Sequence, residues 1–152
     1  WKRLAGSPTI AAAGGTVGLI WAGMLVASGL VFNFGAGAVV DLHATNPAQA
    51  ATAWQAIEPV ADGLGSGGGE LLGGLWVLLV SVAALRTAAL PKALNWLGIL
   101  IGLAGIASVI PMLLDGRYVF GLLQIVWFIW LGAVMLRTPA IEEPARQPVT
   151  AR

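Results

Sequence analysis

The sequence predicts an all-α transmembrane helical bundle with four spans and one short outer interfacial helix. Of the 152 residues, 58% are hydrophobic and 10% are charged, whereas globular proteins average about 45 to 50% apolar and about 25% charged residues. The mean hydropathy is +0.86. Four segments are also long enough to cross a hydrocarbon core of about 30 Å, which takes roughly 20 helical residues.

The four spans are predicted at residues 10–40, 65–85, 94–112 and 118–136. Pro111 gives the third span a natural end, because proline cannot continue the helical hydrogen-bond pattern. The connections that follow the second and third spans are short. Consecutive spans are therefore expected to be antiparallel neighbours.

The long first loop contains a second kind of helix, predicted at residues 47–58. Asn46 can accept a hydrogen bond from the free amides of the first turn, and Pro47 suits the first helical position. Apolar residues, including Trp54, then recur on one side. This pattern predicts a short helix that lies flat on the outer headgroups with Trp54 inserted among them.

The distribution of Lys and Arg predicts the orientation. Seven of the eight fall on one predicted side: Lys2, Arg3, Arg86, Lys92, Arg137, Arg146 and Arg152. Basic residues are retained on the cytoplasmic side, so both termini are expected in the cytoplasm and the first loop outside. Residues 1–137 form a single transmembrane domain on this interpretation, and the proline-rich residues 138–152 form a disordered cytoplasmic tail.

Small residues recur along the spans, and association in lipid depends on the close backbone approach that they permit. The predicted helix-packing positions are Gly18, Ala22, Gly29, Gly74, Gly98, Gly102 and Gly105. Four tryptophans lie well inside the spans: Trp21, Trp76, Trp127 and Trp130. Two interpretations of these rings stay open: they fill gaps opposite glycines, or they line a pocket for a quinone, pigment or lipid tail.

Glu70 is the main candidate for a functional group. Leu71 to Leu85 would cover only about 22 Å as a helix, so the second span must include Glu70, roughly 7 Å inside the outer boundary. Gln124 and Asn33 are predicted at a similar depth. A carboxylate is costly to ionise there without a partner. Glu70 therefore either makes a structural hydrogen bond, with Gln124 or with headgroup water, or binds a proton, cation or amine.

Several kinds of chemistry lack the residues they need. The sequence has no cysteine and a single histidine, His43, and no lysine lies within a predicted span. A G-x-G-x-x-G run at residues 63–68 follows no predicted strand, so it does not indicate a nucleotide site. We expect no catalytic residues, no metal site and no nucleic-acid partner. The expected partners are membrane lipids, other membrane subunits or further copies of the chain, and no cofactor is identified.

The runs "GGGELLGGLW", "LPKALNWLG" and "GLLQIVWFIWLG" resemble a family of small bacterial integral membrane proteins defined only as a domain of unknown function. The resemblance implies a helical membrane fold and transfers no activity. We therefore expect a non-catalytic structural or accessory subunit. The alternative is a small transporter or ligand-binding protein with an outward-facing site at Glu70, Gln124 and Asn33, and a third hypothesis is a cofactor-holding subunit that uses the tryptophan-rich core.

Overall fold

The computed structural model describes residues 6–110 and 116–137, except for the side chains of residues 66–68 and 116–117. Every regular element in these ranges is a helix, which confirms the all-α prediction. The elements are α1 (Pro8–His43), α2 (Pro47–Asp62), a π-helical turn (Gly63–Gly67), α3 (Gly68–Thr87), α4 (Lys92–Ala107) and α5 (Gly116–Arg137).

Three helical runs are long and apolar enough to cross a membrane: Pro8–His43, Pro47–Thr87 and Tyr118–Arg137. The fourth helix, α4, is apolar but has only 16 residues. It ends before the predicted bound of the third span, part of which lies outside the described residues, as does the whole of the predicted tail at 138–152.

The largest difference from the prediction concerns α2. The Asn46 side chain accepts a hydrogen bond of 3.1 Å from the backbone N–H of Gln49, and Pro47 begins the helix, as the sequence indicates. However, α2 does not end at residue 58. It continues through the π-helical turn into α3, and its Ile57 packs against Gly35 of α1. The helix therefore lies along the C-terminal half of α1 instead of lying flat beside the bundle.

One face of α1 packs on α2 and α3, and its positions recur alternately every three and four residues: Gly18, Trp21, Leu25, Ser28, Phe32 and Gly35. This 3.5-residue repeat is typical of antiparallel helices in a left-handed coil. The predicted packing face differs. Gly18 touches Trp76, but Ala22 and Gly29 are exposed, and a Cβ added at Gly29 would meet nothing within 4 Å.

Helices α3 and α4 pack backbone against backbone. A Cβ at Gly74 would lie 2.7 Å from the Gly102 carbonyl oxygen and 3.0 Å from the Gly105 Cα. The chain reverses between the two helices at Ala88, which has φ 51°, while the Ala89 amide donates to the Ala84 carbonyl over 3.1 Å. A left-handed residue with such a bond is a common helix C-terminus, although glycine usually occupies it.

Helix α5 completes the core. The buried apolar cluster consists of Val77, Leu94, Ile101, Phe120 and Trp127. The Trp127 indole also donates a 3.1 Å hydrogen bond to the Leu94 carbonyl of α4 and passes beside Gly98. Because Trp127 is completely buried, this bond satisfies a polar group that would otherwise be costly to enclose.

Candidate functional site

Glu70 and Gln124 lie on neighbouring helical turns around one junction of α3, α4 and α5. Glu70 lies half-buried in the first turn of α3. A Cβ added at Gly105 would lie 2.7 Å from the backbone carbonyl oxygen of Glu70 and 2.7 Å from the Phe120 ring. Gln124 is buried and follows Phe120 by four residues, so it lies one helical turn deeper. The structure thus brings two of the three predicted polar residues to neighbouring levels.

Asn33 does not join this junction. Leu25 is the α1 residue beside Gly69, so Asn33 lies eight residues, or about 12 Å, farther along α1. Its side chain is exposed. The prediction of a common level assumed that α1 and α3 reach the outer boundary together. Instead, α3 continues the run that begins with α2, and the C-terminal part of α1 pairs with α2.

Ser108 is a further polar residue at the same end of the bundle, and the sequence analysis did not select it. It is 3% exposed, and its hydroxyl donates to the Gly105 carbonyl over 2.7 Å. Its bond to its own helix explains how a buried hydroxyl is accommodated. Among the described residues, the polar side chains around this junction include Glu70, Gln124 and Ser108, which could orient a small polar ligand.

A second polar layer lies deeper, between α3 and α4. The Asn95 side chain donates to the Leu90 carbonyl over 3.2 Å and so holds the α3–α4 turn. Within the described part of the chain, its Oδ1 atom and the Ser81 hydroxyl are buried without hydrogen-bond partners. A sequence signal existed for Asn95, because an amide inside an apolar helix is rare and usually faces the protein interior.

The tryptophans divide into two groups. Trp76 is central: its ring centroid lies 5.7 Å from that of Trp21, 5.9 Å from that of Trp127 and 5.9 Å from that of Phe128. Trp130 is 39% exposed and takes no part in these ring contacts. Trp76 lies against Gly18 and Trp127 lies against Gly98, which fits the interpretation that the rings fill gaps opposite glycines. A groove beside Trp21 and Trp76 keeps the pocket interpretation open as well.

Metal binding finds little support in the described ranges. Among residues 6–110 and 116–137, no group of three or more His, Asp or Glu side chains is placed to hold a metal ion. His43 lies at the far end of α1, beside a small apolar cavity that also includes Trp54.

Comparisons with known proteins add no relative. No family model, no characterised protein and no solved structure matches this sequence.

Proposed function

We propose that this chain is a non-catalytic integral membrane protein that serves as a structural or accessory subunit of a membrane assembly. In this proposal it crosses a bacterial cytoplasmic membrane four times, with both termini in the cytoplasm. The bacterial location draws on the sequence resemblance, and the orientation draws on the side of the bundle that carries Arg86, Lys92 and Arg137.

The length of α1 carries the proposal. Helix α3 has 20 residues, or about 30 Å, which already matches the hydrocarbon core. Helix α1 has 36 residues, or about 54 Å. Even at a tilt of 40°, it would extend about 11 Å beyond the core. At that tilt about the last ten residues of α1 lie beyond the core, and at smaller tilts more do. In this proposal the outer hairpin, defined as residues 29–62, therefore projects from the membrane.

This outer hairpin exposes apolar side chains where lipid tails do not reach. Phe34 is 76% exposed and Val40 is 68% exposed. Apolar surface of this kind in contact with water is typical of a protein interface. We infer that another membrane subunit covers it, and this contact is what makes the chain an accessory component.

Purification from native membranes tests the subunit proposal. We expect a second protein at fixed stoichiometry, and we expect Phe34→Ala with Val40→Ala to weaken its retention. Ile20→Ala is the matched control, because Ile20 is 51% exposed on the membrane-embedded part of the same helix. A chain that purifies as a single copy, with no protein lost upon substitution, contradicts the proposal. A second copy as the partner would make the assembly a homo-oligomer.

The orientation has a direct test, because the natural sequence contains no cysteine. Thr45→Cys introduces a thiol in the α1–α2 turn, and Lys92→Cys introduces one at the start of α4. A membrane-impermeant maleimide should label the first in intact cells and the second only after lysis. The reverse pattern would invert the proposed topology.

A transporter or ligand-binding protein is the second candidate, and the proximity of Glu70 to Gln124 favours it. Asn33 is too far away to take part. Proton or cation flux in liposomes should fall for Glu70→Gln and persist for the control Asp62→Asn, which neutralises an exposed carboxylate on the preceding helix. Equal flux for both variants removes this candidate.

A further inference from the structure

A long apolar groove runs along the side of the bundle between α1 and α5. Its volume is about 580 Å³, and α3 forms its floor through Trp76 and Val80. The walls include small residues of α1 and larger aliphatic residues of α5: Gly15, Gly18, Leu131 and Met135. The small side chains of α1 leave room for a flexible apolar chain beside the floor.

The length of the groove corresponds to one leaflet. It begins at the aromatic cluster around Trp76 and ends at Leu90, in the α3–α4 turn. The ten residues from Trp76 to Arg86 rise about 15 Å along α3. That distance is half of a hydrocarbon core of about 30 Å. A chain lying in the groove would therefore reach from the headgroup level to the bilayer midplane.

Three cations lie at the end of the bundle where the groove reaches the α3–α4 turn. Arg86 lies in the last turn of α3, Lys92 begins α4 and Arg137 ends α5, and all three are exposed. The carboxylates of the described residues all lie toward the other end, in the last turn of α1, in α2 and in the first turn of α3. Among residues 6–110 and 116–137, this end of the bundle therefore carries cations and no carboxylate.

We propose that this groove binds one acyl chain of an anionic phospholipid of the cytoplasmic leaflet, with the lipid phosphate against Arg86, Lys92 and Arg137. Packing against the apolar walls holds the acyl chain in the groove, and the positive charge of the three cations favours an anionic headgroup. This site is independent of the junction at Glu70. It rests on the membrane location and the orientation of the proposed function.

Lipid retention in native mass spectrometry tests the proposal. The full chain is extracted from vesicles that contain equal amounts of phosphatidylglycerol and phosphatidylcholine. We expect one retained phosphatidylglycerol per chain. Ala22→Phe places a ring in the groove from an exposed position of α1 and should abolish retention. The matched control Ala13→Phe makes the same change at an exposed position on the opposite side of α1 and should keep the lipid. If Ala22→Phe fails to fold, Ala89→Phe fills the groove from the turn.

Charge selection is measured separately. Replacing Arg86, Lys92 or Arg137 with Gln should lower the preference for phosphatidylglycerol about fivefold for each residue. Arg117→Gln, at the other end of α5, should leave it unchanged. Equal lipid retention in the Ala22→Phe and Ala13→Phe variants overturns the proposal. An unchanged preference for phosphatidylglycerol after replacement of Arg86, Lys92 or Arg137 overturns it as well. A change of oligomeric state in Ala22→Phe without lipid loss would assign the groove to another helix and likewise overturn it.

Discussion

Gly74→Ala tests the backbone contact that joins α3 to α4. The added Cβ would lie 2.7 Å from the Gly102 carbonyl oxygen, whereas ordinary contact begins at 3.4 Å, so the two helices must separate by about 0.7 Å. A gap of this size forfeits a quarter to a half of the dispersion energy of each contact it opens. Overpacking of this kind typically costs about 1–3 kcal/mol. Alanine also favours the helix over glycine by about 1 kcal/mol.

Gly23→Ala is the matched control, because a Cβ at Gly23 meets nothing within 4 Å. The helix-propensity gain is common to both variants, so the difference between their free energies of unfolding isolates the packing cost. We expect Gly74→Ala to be less stable than Gly23→Ala by about 1–3 kcal/mol. Reversible unfolding by SDS in mixed micelles measures both values. Equal stabilities, within about 0.5 kcal/mol, would refute the backbone contact.

Three further substitutions test individual contacts. Ala88→Gly should stabilise the protein by up to about 1 kcal/mol in the same assay, because glycine relieves the left-handed φ of 51°; a loss of stability would contradict this conformation. Ser28→Ala should cost about 0.6 kcal/mol by removing the 2.7 Å bond to the Ala61 carbonyl beside the π-helical turn, and amide hydrogen exchange should increase there but not in the control Thr16→Ala. Trp127→Phe should cost about 1–3 kcal/mol, since it removes the buried indole hydrogen bond to the Leu94 carbonyl and leaves a gap where the larger ring packed, while the exposed Trp130→Phe should be nearly neutral.

Hydropathy and local signals predicted most of the helices. The segments that became α1, α3, α4 and α5 are the long apolar runs of the sequence, and the Asn46–Pro47 pair marked the start of α2 correctly. The connection between α2 and α3 was not predictable in the same way. Pro59 and the glycines after it are local signals for a helix end. The helix continues because α1 supports it, through the Ser28 hydroxyl on the Ala61 carbonyl.

The candidate site was only partly predictable, because depth in a membrane depends on how helices are paired. Glu70 and Gln124 were expected near each other from distances along their own spans, and the junction at Phe120 brings them to adjacent turns. Asn33 required knowledge of the pairing between α1 and the second helical run. That pairing puts Leu25 beside Gly69, and no residue-level pattern in α1 specifies it.

The packing face of α1 shows why small residues alone do not decide such a pairing. The sequence offers two adjacent faces with the same 3.5-residue spacing. One passes through Ala22 and Gly29, and the other passes through Trp21 and Ser28; Gly18 belongs to both. The first face permits closer backbone approach, but α3 offers its own glycines at Gly69 and Gly73. Small residues on both helices would leave gaps. Large side chains of α1 against the glycines of α3 fill the interface at native density, and the face with Ala22 and Gly29 is left free to meet lipid or another subunit.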